Sequence, residues 1–293
     1  MDKEAEEKYL LAGKIAAEVR EESRSWLKVG KPLLELAEQI EGAIRSKGAE
    51  PAFPVNLSLN EISAHYTPPK NDETKIADKD MVKIDIGVHV DGYIADTAYT
   101  VSFNEEKQHI VEAVKEALDE AVKMCKPGAM VADISARIED TIKKHNCNPV
   151  RNLTGHGLDR YTEHAEPEIP NVKNNSSYVL KEDQVLAIEP FATDGEGAVK
   201  DTETVFIFMI HERKPVRSVD ARKIMNFASV FSGLPFAERW IPLPLFNTRM
   251  ALRELSQRGA VYEYPVLKEK SGGKVAQYEH TVIVRDEPLI TTK

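Results

Sequence analysis

The chain has 293 residues, 42 % hydrophobic and 30 % charged, a balance that excludes a disordered polypeptide and permits a sizeable core. Its formal charge is −9, with acidic and basic residues mixed throughout, so the sequence offers no basic face for DNA. The acidic start MDKEAEEKYL is no secretory signal, and no apolar run reaches the ~18 residues that span a bilayer. Cys125 and Cys147 have neither zinc-site nor disulfide-framework spacing, so two reduced thiols in a cytoplasmic protein are expected.

Apolar residues at helical spacing predict an amphipathic helix over 5–25. A second helix is expected to start after Pro32 and to stop at Gly48. The stretch PAFPVNLSLNEISAHYTPP, rich in proline and asparagine, reads as loop with short extended pieces. Residues 81–103 read as two strands around Asp91-Gly92, a dipeptide that favours a tight hairpin turn. Helices are expected at 105–125 and 131–146, followed by a loop carrying Gly155-His156-Gly157 and by strands at 184–190 and 203–210. Helical segments at 218–232 and 245–258 precede a last strand at 275–284. Residues 213–265 therefore read as a helical insertion between two strands of one sheet system, packed on the main body.

The hairpin can be worked through geometrically. With Asp91 and Gly92 as turn residues, Val90 faces Tyr93, Gly87 faces Asp96 and Asp85 faces Ala98. Asp85 and Asp96 then share a sheet face as diagonal neighbours, about 7–8 Å apart at the backbone. Gly87, opposite Asp96, is expected to leave that space free of side chain. Two such carboxylates repel unless positive charge lies between them, and a pair of divalent ions about 3.5–4 Å apart would fit. Two solvent-facing charges on an ordinary hairpin fit the pattern as well.

Glu189 closes the apolar run VLAIE, where a carboxylate is costly without a partner or a metal. Glu279 lies inside QYEHTVIV, on one face with Val275, Gln277 and Thr281. His156 sits between glycines that leave its imidazole accessible. Taken singly, a strand-end glutamate, a polar edge strand and a loop histidine need no chemistry, and the same holds for His65 and His164. Together, four carboxylates and one imidazole form a hard ligand set suited to divalent ions.

The segments KIDIGVHVDGYIADTA, NLTGHGL, AIEPF and QYEHT, with AFPVNLSLNEISAHYTP upstream, resemble the metal-binding segments of the methionine aminopeptidases, the pita-bread metallopeptidases of family M24. GLPFAERW and EYPVL resemble signatures of the insertion that marks the type 2 enzymes, in an archaeal-like layout without a long charged extension. The resemblance implies an α+β fold, with curved antiparallel sheets flanked by helices, formed by residues 1–212 and 266–293. It makes 213–265 a winged-helix-like subdomain.

The resemblance also implies a site. Asp85 would bind one metal, Asp96 and Glu279 would bridge, and His156 and Glu189 would complete one ion's sphere. The cofactors would be two divalent ions (cobalt, manganese, iron or zinc) that activate water and hold the substrate's α-amine. Glu189 would shuttle the proton, with His164 on the scissile peptide and His65 near the leaving peptide. Phe53, Pro54 and Tyr264 would line the methionine subsite, joined by Pro235 and Phe236 from the insertion. The implied activity is removal of the initiator methionine from peptides and nascent chains with a small second residue, by a monomer working at the ribosome. An X-Pro peptidase of the same fold and a non-catalytic binding homologue are the alternatives.

Overall fold

The computed structural model describes residues 1–293. Six α-helices and sixteen strands follow one another as α1 (Lys3–Arg24), α2 (Leu33–Ser46), β1 (Glu50–Pro51), β2 (Asn56–Leu59), β3 (Ile62–Ala64), β4 (Met81–Val90) and β5 (Tyr93–Ser102). Then come α3 (Gln108–Val122), α4 (Val131–Lys144), β6 (Asn148–Pro149), β7 (Thr154–Asp159), β8 (Thr162–Pro170), β9 (Val185–Ile188), β10 (Phe191–Thr193) and β11 (Val199–Ile210). The chain ends with α5 (Val219–Ala228), β12 (Phe236–Ala237), α6 (Leu245–Gln257), β13 (Val261–Glu269), β14 (Val275–Gln277), β15 (His280–Ile283) and β16 (Leu289–Ile290).

Local chemistry sets several of these boundaries. Asp2 caps α1 by accepting the Ala5 N–H at 2.8 Å, and α2 stops just before Gly48, whose φ is +82°. Asp91 and Gly92 both take positive φ, +51° and +87°, which matches the right-handed twist of the flanking strands. The resulting register pairs Val90 with Tyr93, Gly87 with Asp96 and Asp85 with Ala98, as the spacing predicted.

The strands form four antiparallel sheets. One holds β1, β4 and β2 with β5 on β4; a second runs β14–β10–β6, a third β12–β11–β13–β3 and a fourth β16–β15–β9–β7–β8. Helices α1 and α2 cover the β4–β5 hairpin through Ala12, Ile15, Leu36, Ile40, Ile84 and Tyr99. Helices α3 and α4 cover the other side through Ile110, Val114, Ile134, Ile138, Leu186 and Val282. The two helix pairs thus shield the sheets from outside and leave the concave inner faces for the site.

Three expectations need correction. His156 lies not in a loop but within β7, where it pairs with Ala187 of β9. Its flanking glycines serve close strand approach, because a Cβ on Gly155 would sit 2.5 Å from the Ala187 oxygen and one on Gly157 2.2 Å from the Glu166 oxygen. Strand β8 has no counterpart in the sequence reading. The last strand is broken at Tyr278-Glu279, so β14 joins the second sheet and β15 the fourth. Glu279 stands at that crossing, its N–H donating to the Ala98 oxygen at 3.0 Å.

Helices α5 and α6 lie between β11 and β13, which pair with each other, and close over a core of Phe208, Ile224, Phe236, Leu252 and Leu255. The segment is latched to the main body. Arg239 bonds to Glu41 of α2, to the Thr67 hydroxyl and to the Pro68 oxygen, while the Trp240 indole N–H donates to Glu41 at 2.9 Å.

Candidate metal centre and substrate cleft

A cavity of about 340 Å³ opens on the inner faces of the sheets. Asp85, Asp96, His156, Glu189 and Glu279 all line it, together with His65 and His164. One ligand atom from each of Asp96, His156 and Glu279 falls within 4.8 Å of the others, and all three residues are buried. The Glu189 carboxylate lies 3.4 Å from the Nε2 of His156. The His156 Nδ1 is 3.1 Å from the Gly157 carbonyl oxygen, which only accepts, so Nδ1 donates there and Nε2 is the nitrogen turned toward the carboxylates.

Each acidic group is held by backbone and neighbours that leave oxygen atoms over. The Asp96 N–H donates to the Thr281 hydroxyl, and that hydroxyl donates to the Asp96 carbonyl. The Thr97 hydroxyl, adjacent in β5, donates to the Glu279 carbonyl at 3.0 Å. The buried Gln277 amide lies 3.3 Å from Glu189 and 3.5 Å from Asp85, spanning the two. Asp85 Oδ1, Asp96 Oδ1 and Glu279 Oε2 remain buried without any partner.

The electrostatics of this cluster are unfavourable by themselves. Burial, reinforced by Glu189, pushes the Asp85 carboxyl up to about 7. Burial raises Asp96 and Glu279 well above the carboxylate range, and each is raised further by the other acids around it. No lysine or arginine lines the cavity. Unpartnered buried oxygens, an imidazole nitrogen turned toward them and mutually repelling carboxyl groups together fit divalent cations, whose charge reverses the sign of these interactions.

The expected subsite residues separate into two groups. Phe53 and Tyr264 line the cavity; Pro54, Pro235 and Phe236 do not. Pro54 is buried behind it with its carbonyl accepting from Asn56, and Phe236 packs among Phe208, Phe227 and Phe231 inside the insertion. The space beside Gly87 is occupied after all: a Cβ there would sit 2.3 Å from the Phe53 ring. His65 takes a left-handed φ of +64° and stacks edge-on against Tyr264, its Nδ1 3.1 Å from the Pro265 carbonyl oxygen. Burial lowers its pKa, and burial with the neighbouring imidazoles of His156 and His65 lowers that of His164, so both are neutral donors or acceptors near pH 7.

Glu163, Gln277, Asn56 and Met209 also belong to the cavity or its support and were not singled out by sequence. Glu163 is pushed up to about 8 by burial, with Asp85 and Glu189 adding to the rise and His156 opposing it. The only signal in the sequence was its place beside His164.

The model of metallopeptidase family M24 matches residues 7–286. The chain belongs to this family. Among M24 relatives, the methionine aminopeptidase of Pyrococcus abyssi is 48 % identical over 290 residues, covering 98 % of both chains. That of Methanocaldococcus jannaschii is 43 % identical with full coverage of both. In fold, this M24 chain matches a thermophilic Arx1 with a TM-score of 0.87 at 18 % identity, covering 98 % of this chain and 89 % of that one. It matches the methionine aminopeptidase of Thermotoga maritima with a TM-score of 0.74 at 23 % identity, covering 100 % and 98 %. M24 membership carries divalent-metal use with it, in keeping with the donor set described above. No helix is long and apolar enough to cross a membrane.

Proposed function

We infer that this M24 protein is a methionine aminopeptidase of the type 2 kind. Its activity is hydrolytic removal of the initiator methionine from peptides and nascent chains with a small second residue, as a cytoplasmic monomer acting near the ribosome. The observation that carries the reading is the convergence of Asp96, His156 and Glu279, flanked by Asp85 and Glu189, on one wall of a cavity that also presents His65 and His164. Relatives that are 43–48 % identical over nearly the whole chain bear the same name.

In this reading Asp85, Asp96, His156, Glu189 and Glu279 would hold two divalent ions. When bound, the ions supply an activated water near neutral pH and polarise the scissile carbonyl. Glu189, beside the cavity and steadied by the Gln277 amide, accepts the water's proton and passes it to the leaving nitrogen. The neutral His164, whose ring meets that of His156 edge-on at 4.5 Å, would donate a hydrogen bond to the scissile carbonyl oxygen as it gains charge. His65 donates through Nδ1 to Pro265, leaving Nε2 as an acceptor for the leaving peptide's N–H. Phe53, Tyr264 and Met209 give the side-chain end of the cavity an apolar flank for a thioether chain. A requirement for a free α-amine distinguishes an aminopeptidase from an endopeptidase.

Metal analysis of purified protein, with hydrolysis of Met-Ala-Ser and of an X-Pro dipeptide, tests the reading. Stoichiometric metal with cleavage of Met-Ala-Ser alone is expected. Cleavage of the X-Pro dipeptide alone would reassign the substrate, and no metal with no cleavage would sink the enzyme reading.

A further inference from the structure

Of the five carboxylates along the cavity, four are taken up by the reading above as partners of two divalent ions. The fifth, Glu163, is left over. It projects from β8, its Oε2 is buried without a hydrogen-bond partner, and its Oε1 has only the His164 Nε2, 4.0 Å away. The cavity wall provides no cation that could pair with it.

It lines the same cavity as Phe53, Met209 and Tyr264. The Tyr264 hydroxyl reaches the Met209 sulfur at 3.6 Å, and its ring meets His65 edge-on. These are the side chains that give the cavity its apolar flank, and Glu163 adds an unpaired carboxyl to the same space. An apolar side chain placed there covers an oxygen that has already lost water, while a donor at the end of a three- or four-carbon chain satisfies it.

We propose that Glu163 is a specificity-determining residue that extends the accepted first residue beyond methionine to those ending in a hydrogen-bond donor, lysine and glutamine above all. The proposal rests on the aminopeptidase reading for the chemistry but concerns only the side-chain subsite. Lysine is unbranched like methionine and one heavy atom longer, so both are candidates for the same cavity and the carboxyl decides their ratio. A site with a buried acceptor discriminates by the cost of leaving that acceptor unpaired.

The test compares kcat/KM for Met-Ala-Ser, Lys-Ala-Ser and Gln-Ala-Ser in wild type, Glu163→Leu and Glu163→Gln, each loaded with the ion that best supports wild-type turnover. Calorimetric binding of methioninamide and lysinamide gives a second readout that does not depend on turnover. Wild type is expected to cleave Lys-Ala-Ser within about tenfold of Met-Ala-Ser. In Glu163→Leu the Lys-to-Met ratio should fall by roughly ten- to hundredfold, the worth of a hydrogen bond to a charged group, in amide binding as well as in kcat/KM. Glu163→Gln should lose preference for lysine but retain glutamine. An unchanged ratio in Glu163→Leu, by turnover or by binding, overturns the proposal. So does loss of metal from that variant, which would make Glu163 a ligand. If wild type cleaves nothing while lysinamide binding still depends on Glu163, the aminopeptidase reading fails and the subsite assignment stands.

Discussion

The hydroxyl of Thr281 holds Asp96 by both of its backbone polar groups, accepting from the Asp96 N–H at 2.7 Å and donating to the Asp96 carbonyl at 2.8 Å. Both residues are buried, so neither backbone group has water to fall back on. Thr281→Val keeps the shape and removes both bonds. It should lower metal affinity or kcat by roughly ten- to hundredfold, whereas Thr281→Ser keeps the hydroxyl and recovers most of the loss. Metal titration and single-substrate kinetics on the three proteins check this, and equal affinities would remove Thr281 from the support of the site.

Asp96 itself should behave oppositely in stability and in activity. Its carboxylate is repelled by Asp85, Glu189 and Glu163 and has a buried oxygen without a partner. In protein stripped of metal by chelation, Asp96→Asn is expected to raise Tm, by roughly 2–4 °C for each kcal/mol of repulsion removed. Turnover should be abolished. Added divalent ion should stabilise wild type more than the variant, as thermal melts with and without metal will report.

The latch between the insertion and α2 is a buried ion pair. Arg239→Met leaves Glu41, 2 % exposed, without a counter-ion and with only the Trp240 and Val55 N–H donors, a loss expected to cost about 3–5 kcal/mol. Glu41→Met added to it removes the stranded charge and should return part of that stability. Urea unfolding of the single and double variants decides; a double variant less stable than Arg239→Met would contradict the ion-pair account.

Alkaline stability should carry the mark of the two thiols. Burial pushes Cys125 up to about 12 and Cys147, with the Asp194 charge adding, to about 11, from an ordinary value near 9. Between pH 9 and about 11 the folded thiols keep protons that the unfolded ones have lost, so the folded state binds more protons and stability falls as pH rises. The slope is at most about 1.4 kcal/mol per pH unit for each thiol. Cys125→Ala/Cys147→Ala should fall less steeply than wild type between pH 9 and 11 in denaturant midpoints. Near pH 8 neither native thiol should react with a thiol reagent, since both are buried.

Much of this could be read from the residues because it is local. The Asp91-Gly92 turn fixes the hairpin register through backbone conformation alone, and with it the shared face of Asp85 and Asp96. Helix ends at Asp2 and Gly48 are likewise matters of a few adjacent residues. What stayed hidden depends on partners far along the chain. The segment TGHGLD has little intrinsic strand preference and is held extended by β8 and β9 on either side, whose carbonyls occupy the places its glycines leave open. The same is true of Phe53, whose ring fills the space at Gly87, and of Thr281, which finds Asp96 across 185 residues of chain. Glu163 escaped because polar residues precede and follow it in β8, so no change of pattern marks its inward face. Phe236 had the composition of a pocket residue but is claimed by the insertion's own core.

The break at Tyr278-Glu279 has a consequence for biosynthesis. Asp85, Asp96, His156 and Glu189 are all synthesised well before the short stretch that supplies Glu279 and Thr281, and that stretch ties two sheets together as it folds. A growing chain therefore carries most of the acidic cluster without its last member or its clamp. The cavity wall is thus complete only when the C-terminal strands close, and a chain truncated before Tyr278 is expected to bind divalent ions more weakly than the full chain.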